Sequence, residues 1–234
     1  MKNFFSSVVG FVFTISMNSL LLFFFFLAIL ACTLEEYIKF TPIYEYMKEF
    51  VLLALKASTS EFNLNDIAKY EIDIVSEFIL NTLWISNDLR RDTIVHVSMN
   101  GSKDPPKLLT LYADKLKGLQ PNQQHIAKII NQAVKYKLKK DESKEIIPGF
   151  FVSKTPFEVL IKKKDNLLYL NKKGTHIREA DIGENPMFVI GDYIGLPKKA
   201  ERLLSNLKAK KLSLGKTMLF AAHCPIIIHY ELDL

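Results

Sequence analysis

Three stretches of the chain carry side chains whose types and spacing suit chemistry. The first is Val189-Ile190-Gly191-Asp192-Tyr193-Ile194-Gly195-Leu196-Pro197, an apolar run that passes into a loop with two glycines. Glycine lets a backbone approach a ligand closely. Taken alone, the stretch reads as an ordinary β-to-α turn before it reads as a binding loop. It is not a dinucleotide fingerprint, because the chain contains no GxGxxG. The second is Lys211-Leu212-Ser213-Leu214-Gly215, followed by Ala222-His223-Cys224-Pro225. Two strand ends of this kind can enclose one small molecule between them. His223 and Cys224 make a poor nucleophile and base, since adjacent residues rarely point at each other and a cysteine beside a proline is a packing residue first. The third is Ser86-Asn87-Asp88-Leu89-Arg90-Arg91-Asp92, two guanidinium forks among carboxylates. Arginine forks fit phosphate, which suggests RNA; a solvated ion-pair cluster is the equal alternative.

These stretches need elements to hold them. Phe50 to Leu55 is apolar without alternation, the pattern of a strand buried on both faces of a parallel sheet. Ile72, Val75, Ile79, Leu80, Leu83 and Trp84 recur at helical spacing. Strands are expected over Thr93 to Met99 and Leu108 to Tyr112, and Pro121 is expected to open a helix carrying Ile126, Ile129, Ile130 and Val134. Lys135 to Glu145 reads as a charged connector, and Ile146 to Val152 as the start of a second half. There the βα rhythm resumes: helix Phe157 to Lys164, strands Leu167 to Leu170 and Met187 to Gly191, helix Lys198 to Lys208, strand Lys211 to Leu214, helix Pro225 to Leu232. The alternation predicts an α/β fold, a mostly parallel sheet with helices on both faces, whose ligands bind at loops beyond the carboxyl ends of the strands.

The balance of 31 basic and 25 acidic residues gives +6 over 234 residues. Residues 1 to 46 hold two of the basic and three of the acidic ones, so 29 and 22 remain and residues 47 to 234 carry +7. This charge attracts polyanions without identifying one. The two cysteines, Cys32 and Cys224, form no CxxC pair, so neither a structural metal nor a disulfide framework is expected. Residues 3 to 34 have no charged side chain, and Phe4 to Cys32 is long enough to cross a bilayer as a helix. Met47 offers an alternative start, which would leave residues 1 to 46 as upstream sequence.

As a set, MKEFVLLALKAST (47 to 59), NDLRRD (87 to 92), GSKDPPK (101 to 107), LKGLQPNQQHIAKII (116 to 130), PGFFVS (148 to 153), FVIGDYIGLP (188 to 197), KLSLG (211 to 215), AAHC (221 to 224) and HYELD (229 to 233) resemble the archaeal tRNA pseudouridine N1-methyltransferases of the SPOUT, or α/β-knot, superfamily. The similarity spans nearly all of residues 47 to 234 and begins at Met47, which favours the upstream-sequence reading of residues 1 to 46 over a membrane anchor. It implies a C-terminal deep trefoil knot, a homodimer, and S-adenosyl-L-methionine bound by Leu170, Gly191, Leu212, Leu214, Gly215 and Cys224. It also implies N1-methylation of pseudouridine 54 in tRNA, in the cytoplasm and without a metal. Within that reading Asp88 and Asp92 are candidates to assist loss of the N1 proton. Arg90 and Arg91 are candidates to hold phosphate or base oxygens, and Lys103 and Lys107 to track the RNA backbone. Two other functions are weighed against it: N1-methylation of a pseudouridine in ribosomal RNA, and a non-catalytic RNA-binding protein anchored through Phe4 to Cys32.

Overall fold

Lys48–Ala54 (β1) is buried at all seven positions, including Lys48 and Glu49, because strands flank it on both edges and helices cover both faces. The other strands are β2 (Thr93–Met99), β3 (Lys107–Tyr112), β4 (Ser143–Ile147), β5 (Phe150–Ser153), β6 (Leu167–His176), β7 (Met187–Gly191) and β8 (Lys210–Ser213). The helices are α1 (Ile72–Leu83), α2 (Gln123–Val134), α3 (Phe157–Ile161), α4 (Lys198–Asn206) and α5 (Cys224–Leu232), with short 3-10 turns at Leu64–Tyr70 and Ala221–His223. This computed structural model describes residues 46–140 and 142–234. The readings of residues 1 to 46 as anchor or upstream sequence therefore fall, but for Tyr46, outside the described residues, as does residue 141 of the charged connector.

The sheet runs β4-β5-β3-β2-β1-β7-β6-β8. Its five strands from β2 to β8 are parallel, as the alternation predicts. The remaining edge departs from that expectation: β3 is antiparallel to β2, β5 to β3, and β4 to β5. The stretch from Ile146 thus does not begin a second parallel half, and the charged connector contains a strand. The charges of β4 misled the pattern because β4 is an edge strand whose Ser143, Lys144 and Glu145 are exposed, and edge strands carry charge to resist further pairing.

Smaller differences have local causes. The second helix starts at Gln123 rather than Pro121, because the Asn122 side chain caps it by accepting from the His125 N–H at 3.0 Å. Trp84 ends α1 instead of continuing it and bridges to Leu89. The helix expected over Phe157 to Lys164 closes at Ile161, and α4 stops at Asn206. β6 runs on to His176, but its pairing with β8 jumps between Leu170 and Thr175.

One core layer joins Phe50, Leu52, Val97 and Phe188 to α1, α2 and α5; the opposite face packs Val51, Leu53, Tyr169 and Val189 under α3 and α4. Each fully buried Leu or Phe contributes about 1.5–3 kcal/mol. Phe50 stacks on Phe188 at 5.2 Å between ring centroids, which ties β1 to β7 and fixes the carboxyl ends of both strands in register. Among the described residues no helix is long and apolar enough to cross a membrane.

Candidate active site

The jump in β6 has a consequence for the sheet's carboxyl edge. Residues Asn171 to Gly174 leave the ladder, and Gly174 passes so close to β8 that an added Cβ would lie 2.6 Å from the Leu212 nitrogen. The displaced Asn171, Lys172 and Lys173 form one wall of a cavity of about 540 Å³. A second wall comes from the end of β7 and its loop, a third from the end of β8, and the floor from the start of α5. Leu170, Gly191, Leu212, Leu214, Gly215 and Cys224 all line this one cavity. Its volume lies in the range of sites for drug-sized and cofactor-sized molecules.

The loop after β7 is held rigidly. A Cβ on Gly191 would sit 2.5 Å from the Gly195 carbonyl carbon, so only glycine permits the fold-back. Asp192 is buried and spends both carboxylate oxygens on backbone: Oδ2 accepts from Leu55 N–H at 2.8 Å and Oδ1 from Ile194 N–H at 2.9 Å. In the loop after β8, Gly215 adopts φ of 123°, and its N–H donates to Ser213 Oγ at 3.2 Å. Asn171 Nδ2 donates to Glu201 Oε1 at 3.2 Å across the rim. The cavity therefore offers apolar leucine walls, turn backbone and charged side chains at its rim. That set suits a ligand with a flat apolar body and a zwitterionic tail, which is what an adenosyl amino acid requires.

Cys224 is a wall and not a nucleophile. Burial pushes its thiol up to about 11, and its sulfur donates to the Phe220 carbonyl at 3.4 Å. His223 turns outward, its ring edge-on to Phe220 and its Nε2 3.7 Å from Glu77, as the adjacency of the two residues suggests.

The arginine and aspartate cluster is elsewhere. It lies at the amino ends of β1 and β2, where Lys48 pairs with Thr93, whereas the cavity opens at the carboxyl end, where Leu53 pairs with Gly191. Five strand residues separate the two ends, roughly 16 Å. Asp88 accepts from Leu89 N–H and Arg91 Nη2, both at 2.7 Å, and these hold its carboxyl below the usual range. Asp92 lies 2.8 Å from Lys48 Nζ, and Arg90 Nη2 donates to Asp233 at 2.7 Å. Within one chain Asp88 and Asp92 therefore stand at the other end of the strands from a group bound in the cavity. Sequence proximity to a strand hid which end of the strand they occupy.

Lys103 is exposed, but Lys107 is 1% exposed and turned inward. Its Nζ donates to the Val134 carbonyl and, at 2.8 Å, to the Tyr136 carbonyl, with Asp104 Oδ2 at 3.4 Å. Lys107 therefore closes the carboxyl end of α2 and is not available to RNA. Conversely, Asn171 escaped the sequence reading, because only the break in β6 brings it to the cavity, whereas Asp192 and Ser213 line it from within the two stretches singled out there.

Comparison with known proteins fits this geometry. The tRNA (pseudouridine(54)-N(1))-methyltransferase of Methanocaldococcus jannaschii is 34% identical over 199 residues, covering 80% of this chain and 97% of that protein. The protein of the same name from Methanococcus vannielii is 35% identical, covering 80% and 98%. Among solved structures, Archaeoglobus fulgidus Nep1 bound to S-adenosylhomocysteine shares the fold with a TM-score of 0.55 and 13% identity, covering 80% of this chain and 97% of that one. Residues 47–234 match a family model described as "Putative SAM-dependent RNA methyltransferase", and the chain belongs to that family.

Proposed function

We propose that this protein methylates N1 of pseudouridine 54 in tRNA, using S-adenosyl-L-methionine held in the cavity at the carboxyl ends of β6, β7 and β8. The observation that carries the reading is the convergence of Leu170, Gly191, Leu212, Leu214, Gly215 and Cys224 on that single cavity, in a chain whose 34% identical relative bears this activity in its name. The cofactor supplies an electrophilic methyl group on a sulfonium. Leu170, Leu212 and Leu214 would provide apolar surface for the adenine, and the glycine turns would provide backbone donors and acceptors at close range. Asn171 and Glu201 stand at the rim, where a charged tail meets water. A neutral Cys224 thiol would add no competing nucleophile to the cavity wall.

The remaining work is alignment. N1 of pseudouridine is free because the base joins its sugar through carbon, and fixing N1 in line with the methyl accounts for much of a rate enhancement. The N1 proton leaves to water, or to the carboxylate of Asp88 or Asp92 reaching the site from a second copy of the chain. Lys103 contacts RNA backbone near the site, and Arg90 and Arg91 contact phosphates farther along a substrate long enough to reach both ends. The chain acts as a cytoplasmic homodimer, with residues 47 to 234 as the methyltransferase domain and a trefoil knot in its C-terminal half enclosing the cofactor.

The test is methyl transfer from labelled S-adenosylmethionine to tRNA carrying pseudouridine or uridine at position 54, read by nucleoside mass spectrometry. N1-methylpseudouridine is expected with pseudouridine only. Cofactor binding without product on either tRNA, but with product on ribosomal RNA, would replace the tRNA reading. Sedimentation of the purified protein at twice the chain mass is expected for the homodimer.

A further inference from the structure

Tyr193 and Ile194 are 58% and 50% exposed, although their neighbours Gly191, Asp192, Gly195 and Leu196 line the cavity. A large ring left open to water beside a ligand cavity marks a contact surface. This ring is also held in place. Its hydroxyl accepts from Lys56 Nζ at 2.8 Å and donates to Glu71 Oε1 at 3.1 Å, and the Lys56 ammonium lies 5.3 Å from the ring centroid. Behind it, Asp192 locks the loop backbone through Leu55 and Ile194. Glu71 reaches the hydroxyl from a left-handed backbone, φ of 57°, between the Leu64–Tyr70 turn and α1. A non-glycine residue occupies that conformation at a cost of about 1 kcal/mol or more, so the surrounding structure enforces it.

The ring is thus gripped by its polar tip while more than half of the residue stays open to solvent. Such an arrangement suits a flat partner, because an aromatic side chain fixed in advance loses little freedom on binding. Stacking also sets the plane of a base without using its hydrogen-bonding edge.

We propose that Tyr193 is the platform on which the target nucleobase stacks when it turns out of the RNA loop to meet the cofactor. The inference rests on the methyltransferase reading of the neighbouring cavity. Stacking leaves N1 at the edge of the pyrimidine, free to face the cavity, and Lys56 adds positive charge next to the platform for the nucleotide's phosphate. Every base has a stacking face, so the platform accepts the extruded base and the cavity with its methyl donor selects the atom.

The test measures binding of the full chain, in S-adenosylhomocysteine, to tRNA bearing pseudouridine at position 54 and to the same tRNA with an abasic site there. Tyr193→Ala should weaken binding to the pseudouridine tRNA by about ten-fold, the scale of one lost base stack, and leave binding to the abasic tRNA unchanged. Tyr193→Phe, which keeps the ring and loses both hydroxyl contacts, should lie between wild type and Tyr193→Ala. Calorimetry should give the same S-adenosylhomocysteine affinity for all three. Equal losses on both tRNAs, or none on either, would overturn the stacking role while leaving the methyltransferase reading intact. A changed sedimentation coefficient for Tyr193→Ala would assign the ring to contact with a second copy and overturn it as well. If the wild-type protein binds no cofactor, the reading of the cavity fails, and the platform with it.

Discussion

Gly191 and Cys224 illustrate how little of a side chain the cavity tolerates. The thiol of Cys224 is buried and raised to about 11, so it presents an uncharged surface at neutral pH. Gly191 has no side chain to present, and its value is the space it leaves: a methyl group there would meet the Gly195 and Leu196 backbone at 2.5 to 2.7 Å. Gly191→Ala must therefore displace the loop that carries Asp192 and Tyr193. Calorimetry should show a loss of S-adenosylmethionine affinity of about ten-fold or more, ~1.4 kcal/mol. Unaltered affinity would remove this loop from the cofactor site. Gly191 stood out in the sequence because it ends a buried strand. Asn171 did not, since the break that exposes it follows from how β6 and β8 pair and not from its own neighbours.

Two elements depend on single buried cations or near-cations. Lys107 fastens the end of α2 by donating to Val134 and Tyr136, and burial lowers its pKa without removing its partner Asp104. Lys107→Met keeps the apolar stem and deletes those bonds, which should cost about 2 kcal/mol in denaturant unfolding; no change would mean that water replaces the ammonium freely. On α5, His229 packs against Phe50 at 4.7 Å between centroids, and its Nε2 donates to the Thr82 carbonyl at 3.0 Å. Burial first, then the nearby Arg90 and Lys48 charges, lower its pKa from 6.5 to about 4. Between those values the unfolded chain binds a proton that the folded chain refuses. The contribution is thus present above pH 6.5 and lost as pH falls towards 4, by up to ~1.4 kcal/mol per pH unit. Urea unfolding at pH 7, 6 and 5 should show this decline in the wild type and a flatter one in His229→Leu. Equal slopes would place the acid sensitivity in other groups.

At the scale of the whole molecule, net charge and its placement decide how RNA is met. The chain carries +6, and salt will weaken its RNA binding in proportion to the phosphates it neutralises. Lys103 and Lys107 are four residues apart and point to opposite fates, one outward and one inward. Lys103→Ala should reduce the slope of log affinity against log salt by about one. Lys107→Met should leave the slope of the folded protein unchanged. Filter binding of tRNA over a salt series checks both, and a reduced slope for Lys107→Met would mean that its ammonium reaches RNA after all.

The sequence by itself determined the parallel strands, whose apolar runs have no polar face to spare, the glycines that end them, and the resemblance that matched residues 47 to 234 to a family. Tertiary structure alone decided three things. It brought residues 170, 191, 212 to 215 and 224 to one cavity, because β7 lies between β1 and β6 and strand order is not written in local periodicity. It sent Asp88 and Asp92 to the amino ends of the strands, opposite the cavity, since a loop's chemistry gives no sign of which strand end it adjoins in space. And it buried Lys107, a residue type almost never fully buried unless paired, because the Val134 and Tyr136 carbonyls at and just past the end of α2, and Asp104, supply its partners from distant and near parts of the chain.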